Sequence, residues 1–247
     1  MLTPFRADLE ISLHVGSTTR FSLKDISEYA AESWFQLGFE GGHDNEIRDA
    51  RRSIQSGISF SDLTANVTHF ASLLNRCAKI DRKIDQRDFN NSIMMLGYRL
   101  IHVSPLNGPR PTNAVDDMLH FGLAAFLTSF LLEIGARPQG FPLLTHTTCA
   151  AIEIHSEQSV QYREMLLWTL FVGASSTFRC LDDRWLIARV TDTMVSLDLN
   201  TWEDVSRTVS KFPWVNSVHD QSGQSLWQKT RPGHGKGNEL QPNLPLS

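Results

Sequence analysis

Two stretches of this chain carry almost no charge, and they constrain the fold more than anything else in it. Met118 to Leu132 reads MLHFGLAAFLTSFLL, and Met165 to Ala174 reads MLLWTLFVGA. A membrane-spanning helix needs about 20 predominantly apolar residues. Both runs are shorter, and Asp116, Asp117 and Glu133 bracket the first. Apolar helices of this length are expected to be buried on several sides in a protein core. Trp168, Leu170 and Phe171 are therefore expected to be buried, packed on the Met118–Leu132 helix, with Gly173 and Ala174 allowing a close helix crossing.

The rest of the sequence reads as helices between turns. Ser22 and Asp25 have the spacing of a capping box, and Leu23, Ile26, Tyr29, Ala30, Trp34 and Leu37 follow at helical intervals. Gly41 and Gly42 stop that helix. Ser61 or Asp62 caps the next, whose face is Leu63, Val67, Phe70, Leu73 and Leu74, beside Ala71 and Cys77. A helix over Ile93–Ile101 ends at SPLNGPRPTN, where three prolines forbid a helix interior. Thr112 or Asn113 starts the long apolar helix, and GARPQGFP ends it. Further helices are expected at Leu144–His155, Val160–Phe178, Arg184–Ser196 and Trp202–Lys211. No segment alternates as an amphipathic strand does. The expected fold is all-α, an irregular multi-helix bundle built on a central apolar helix pair. Residues 1–20 read as an N-terminal extension, 21–230 as the helical domain, and 231–247 as a Gly/Pro-rich disordered tail.

Composition excludes several functions. The 247 residues are 41% hydrophobic and 20% charged, with a net charge of -4, so no global positive field would hold the chain on DNA or an anionic membrane. The basic clusters, Arg48, Arg51 and Arg52 and then Lys79, Arg82 and Lys83, are diluted by Asp and read as solvated helix faces. Cys77, Cys149 and Cys180 are scattered and odd in number, which disfavours a disulfide framework and suits a reducing compartment. The N-terminus shows no basic stretch leading into an apolar run, so no secretory signal is expected.

Candidate chemistry is sparse. His146, Cys149 and His155 supply three side chains able to bind a metal, but a closed zinc site needs a fourth ligand. The acidic pairs Asp116-Asp117 and Asp182-Asp183 could hold magnesium in an all-α enzyme. Both lack the third acid of a prenyl-diphosphate motif, and acids in a first helical turn also complement the helix dipole. Gly38, Gly41 and Gly42 match neither a nucleophile elbow nor a phosphate loop. No catalytic, cofactor-binding or metal residue is assigned.

Four stretches in series resemble the regulatory domain of fungal binuclear zinc-cluster transcription factors. They are Asp116–Leu131; Tyr162–Ser176, with its Leu-Leu-Trp-x-Leu-Phe-x-Gly pattern; Asp182–Val190; and a C-terminal block in which Trp202, Phe212–Val215, His219-Asp220 and Leu226-Trp227 carry the likeness. Val195 departs from the pattern, which has Leu there. The likeness covers about residues 60 to 230. It implies a nuclear regulatory domain that packs against protein partners or other parts of a longer factor, and a core able to accept a small effector. The family's DNA-binding unit is a six-cysteine, two-zinc cluster followed by a coiled coil. Three scattered cysteines cannot build that cluster, and no heptad repeat precedes Ser22. Direct sequence-specific DNA binding and bound zinc are not expected, and the chain reads as a fragment of a longer factor or as a stand-alone regulatory domain. The alternatives are a magnesium-dependent enzyme of secondary metabolism and a non-catalytic adaptor.

Overall fold

The computed structural model describes residues 4–30, 59–134, 140–155, 159–179 and 182–231. These residues are helical with no strand among them, and they divide into ten helices. They are α1 (Pro4–Val15), α2 (Leu23–Ala30), α3 (Phe60–Lys79), α4 (Gln86–Val103), α5 (Ala114–Ile134), α6 (Pro142–Ile154), α7 (Val160–Ser175), α8 (Asp183–Ser196), α9 (Trp202–Val209) and α10 (Asn216–Lys229). The protein is all-α, as expected. Trp34, Leu37, Gly41-Gly42, the Arg48–Arg52 cluster, Cys180 and the tail beyond Arg231 lie outside the described residues.

Two helices act as hubs. α4 receives α1, α2, α3 and α5, and α7 receives α5, α8, α9 and α10. The most extensive contact joins α5 to α7, the central apolar pair. Leu167, Trp168, Leu170, Phe171 and Val172 are all completely buried, as are Met118, Leu123, Ala124 and Phe126 opposite them. α5 is longer than the apolar run within it. Its 21 residues span about 31 Å, so length and composition alone would let it cross a membrane. Yet most of its apolar window is covered by the rest of the chain.

The close crossing does not arise as the sequence suggested. A Cβ at Gly173 would collide with the ring of Phe178, so Gly173 accommodates the loop after its own helix. Gly122 of α5 is the residue that lets the helices meet, since a Cβ there would strike the Trp168 ring and Thr169 Oγ1.

Caps set the helix boundaries. Ser22 and Asp25 form the expected box, with Ser22 N–H donating to Asp25 at 2.8 Å and Asp25 N–H to Ser22 Oγ at 3.2 Å. α3 starts earlier than predicted. Ser59, not Ser61 or Asp62, is its N-cap, and Asp62 closes the box from the N3 position. Asn113 Oδ1 accepts from Val115 N–H at 2.9 Å and so caps α5.

Two helices were not expected. α1 lies in the stretch read as an extension, yet Leu9 and Leu13 are in the core. Its buried Asp8 accepts from the backbone N–H of Arg20 (2.9 Å) and the Tyr98 hydroxyl (2.7 Å). α10 has only His219, Gly223 and Leu226 buried, so it lacks an apolar stripe to advertise it.

Candidate functional site

A cluster of buried polar groups lies where the proline-rich segment after α4 crosses α5. Arg110 Nε donates to Asp117 Oδ1 at 2.8 Å, and Arg110 Nη2 lies 2.5 Å from the same oxygen. Nη1 is 3.1 Å from His120 Nδ1, and the guanidinium carbon sits 4.0 Å above the Phe121 ring. The other Asp117 oxygen is 2.9 Å from His155 Nε2. His155, the C-cap of α6, also meets Tyr162 of α7 edge to face. One carboxylate thus joins the proline segment, α5 and the end of α6. Sequence spacing could suggest a shared helix face for Asp117 and His120, but not the tertiary pairing with Arg110 or His155.

The donors fix the state of His120. A guanidinium can only donate, so Nδ1 must offer a lone pair and the proton belongs on Nε2. Nε2 faces the Leu100 and Ser104 carbonyls without reaching hydrogen-bond geometry. Burial first, and the Arg110 charge second, depress the His120 pKa to about 3.

A second buried histidine closes the α9–α10 corner. His219 Nδ1 accepts from Val215 N–H at 3.0 Å, and Nε2 is 3.1 Å from Ser129 Oγ. The Ser129 hydroxyl already donates to the Phe126 carbonyl at 2.6 Å. His219 Nε2 therefore carries the proton and donates to Ser129, the reverse of what a general base must do to a serine. Burial lowers the His219 pKa to about 4. The pair resembles a catalytic dyad by distance and is a structural pin by chemistry.

The same corner holds the most conspicuous C-terminal sequence block. Trp168 Nε1 donates to the Pro213 carbonyl at 2.9 Å, and its ring stacks on Phe212 with centroids 5.2 Å apart. Trp214 Nε1 donates to Asp220 at 2.7 Å. Asn75 of α3 brackets the turn, donating to the Trp214 carbonyl (2.7 Å) and accepting from Asn216 N–H (2.9 Å). Phe212–Val215 and His219-Asp220 are here a packing device.

The candidate metal ligands do not converge on one site. His155 commits Nε2 to Asp117, His146 is exposed, and the half-buried Cys149 thiol is pushed up to about 11 by burial and by Glu153. No group of three metal-ligating side chains occurs among the described residues. The acidic pairs also part. Asp182 is the exposed N-cap of α8 and pairs with Arg184, and Asp183 pairs with Lys229 of α10 at 2.7 Å. Arg163 near the start of α7 donates to the Ser196 carbonyl at the end of α8, so α8 runs antiparallel to α7. The two pairs hold different partners, Arg184 and Lys229 for Asp182-Asp183 and Arg110 and His155 for Asp117. The expectation that both pairs would be surface groups at helix starts holds for α8 and fails for Asp117, which is buried because Arg110 and His155 neutralise and hold it. Asp116 faces outward into an open groove of about 980 Å³ between α3 and α5, beside Phe60, Thr64, Thr68 and His69.

Comparison with protein-family models, with curated proteins and with solved structures finds no match.

Proposed function

We propose that this chain is a non-catalytic helical regulatory domain of the kind that the sequence resemblance implies, acting in the nucleus by packing against protein partners or the rest of a transcription factor. The observation that carries this reading is the arrangement of the resembling stretches. Asp116–Leu131 lies in α5, Tyr162–Ser176 spans most of α7, Asp182–Val190 opens α8, and the C-terminal block forms α9, α10 and their corner. All of these pack on α7. Residues that share the likeness therefore share one core, as a module's would.

The state of the buried titratable groups adds support. His219 presents an N–H where a base would need a lone pair, the lone pair of His120 is taken up by Arg110, and Asp117 is occupied on both oxygens. The magnesium-enzyme reading needs both acidic pairs around one cavity, and their commitment to different cationic partners weighs against it.

The test is a fusion of the chain to a heterologous DNA-binding domain, read on a reporter gene. A regulatory domain should change output several-fold relative to the DNA-binding domain alone, and Trp168→Ala should abolish the change. Unchanged output from a folded fusion, or magnesium-dependent turnover of a prenyl diphosphate by the purified chain, would contradict the reading.

A further inference from the structure

The segment Ser104–Asn113 is a strap laid across α5. Pro105, Pro109 and Pro111 fix φ along it, so it is stiff and moves as a piece. It is held at two points. Asn107 anchors it to the end of α1, its side chain donating to the Val15 carbonyl at 2.7 Å and its N–H to the Gly16 carbonyl at 3.1 Å. Arg110 anchors it to α5 through Asp117, His120 and the Phe121 ring. Beneath it His120 is completely buried and Phe121 nearly so.

The Arg110–His120 contact has an unusual requirement. Arg110 brings only donors, so the bond exists only while His120 Nδ1 holds a lone pair. A proton on Nδ1 would set two donors face to face, one of them a permanent cation. His219 also needs a bare Nδ1, but toward the neutral Val215 N–H and not toward a cation, and two further buried anchors carry no such condition. Asp8 accepts from backbone amides and a tyrosine hydroxyl, and Trp168 donates to a carbonyl.

We propose that the Ser104–Asn113 strap is a proton-gated latch, in which neutral His120 holds Arg110 in place and protonation of His120 releases the strap. Opening would uncover His120 and Phe121 next to the α3–α5 groove, whose Phe60 ring lies 6.2 Å from the imidazole. The groups facing the latch are Arg110 on the strap, Asp117 on α5 and, through Asp117, His155 at the end of α6. From α4 come the Leu100 carbonyl and, just after the helix, that of Ser104.

The direction follows from linkage. With the strap closed the His120 pKa is about 3, and an open, solvated imidazole returns to about 6.5. The closed form is thus fully favoured above pH 6.5 and loses its advantage progressively as pH falls toward 3. Between pH 7.5 and 5.5 the opening equilibrium should rise about tenfold.

The experiment is amide hydrogen exchange on the full chain, following Asn107, whose N–H bonds to the Gly16 carbonyl outside the strap, at pH 7.5 and 5.5 after correction for the intrinsic exchange rate. The expected result is a roughly tenfold loss of protection at the lower pH by the same linkage, with the strap still exchanging faster than the amides of α7, which open only with the whole fold. His120→Asn, whose Oδ1 can accept from Arg110 but cannot take up a proton in this range, should remove the pH dependence while the strap stays protected. Equal protection at the two pH values would overturn the proposal, as would a pH dependence that survives in His120→Asn, since Asp117 or His155 would then be the sensor. If that variant does not fold, nitrogen NMR of His120 in the unmodified chain decides. The midpoints for imidazole protonation and loss of strap protection should coincide, and separate midpoints would sink the latch.

Discussion

The Trp168 corner and the Arg110 strap each bury a histidine, and they do so in different ways. At the corner, His219 is enclosed by Phe126, Phe130 and Trp214 and hydrogen-bonded to a backbone amide and a serine. At the strap, His120 meets a guanidinium, which in turn depends on a carboxylate. Neutral partners cost little to bury once they are paired, whereas an ion pair repays its desolvation only while it remains complete. The corner should therefore fail through lost volume, and the strap through lost charge balance.

The largest effect should come from emptying the corner. Trp168→Ala should cost about 3–5 kcal/mol in urea unfolding, from the cavity and the loss of the stacked Phe212; a loss below 1 kcal/mol would mean that this ring is not central to the core. Asp117→Ala comes next. It leaves the Arg110 charge without its carboxylate, and a cost of about 3 kcal/mol is expected, at the low end for buried pairs because Arg110 is partly exposed. Asp117→Asn should recover part of this by keeping an acceptor, and recovery equal to the full loss would show that charge is not what matters at the strap.

Gly122→Ala sharpens the contrast from the volume side. In an open helix that change would stabilise by up to about 1 kcal/mol. Against the Trp168 ring it should instead destabilise by about 1–3 kcal/mol through overpacking. Adding Trp168→Leu should make the two changes markedly less than additive, because they share one contact. Asp182→Ala should have the smallest effect on unfolding. This cap is exposed at the start of α8, and an effect rivalling that of Asp117→Ala would restore interest in the acidic pairs.

The two regions also differed in how far the sequence disclosed them. The α5–α7 pair is legible because uncharged runs leave burial as the only cheap outcome, and Ser22 with Asp25 is legible because a capping box is a local pattern. α1 is hidden because Arg6 and Asp8 are buried on long-range partners, Arg6 donating to the Leu131 carbonyl at 3.0 Å and Asp8 binding Tyr98, so polar residues occupy core positions in the pattern. α10 is hidden because glycine and histidine fill its buried face. The strap was readable as a loop from its prolines, but its partners are 7, 10 and, through Asp117, 45 positions along the chain from Arg110. Only the tertiary fold brings Arg110 and His155 onto one carboxylate. Periodicity reports which face of a helix is buried, and it carries no information about which charge will meet which.

Stability against pH should show both histidines at once. Each has a folded pKa below the ordinary value, so each stabilises fully above pH 6.5 and less as pH falls, to about 4 for His219 and about 3 for His120. The unfolding free energy should be flat from pH 8 to 7 and then decline with a slope approaching about 1.4 kcal/mol per pH unit for each histidine. His219→Asn should remove one share of that slope.

The measurement that bears most directly on the central claim, that the buried polar groups serve the fold and not a reaction, is nitrogen-detected NMR of the histidine rings at pH 7. The partners assigned above require His120 and His219 to carry a proton on Nε2 and a bare Nδ1, with His219 remaining neutral down to about pH 4. A proton on Nδ1 of His219, or titration of that ring near pH 6.5, would leave Nε2 as a base facing Ser129 and contradict the account.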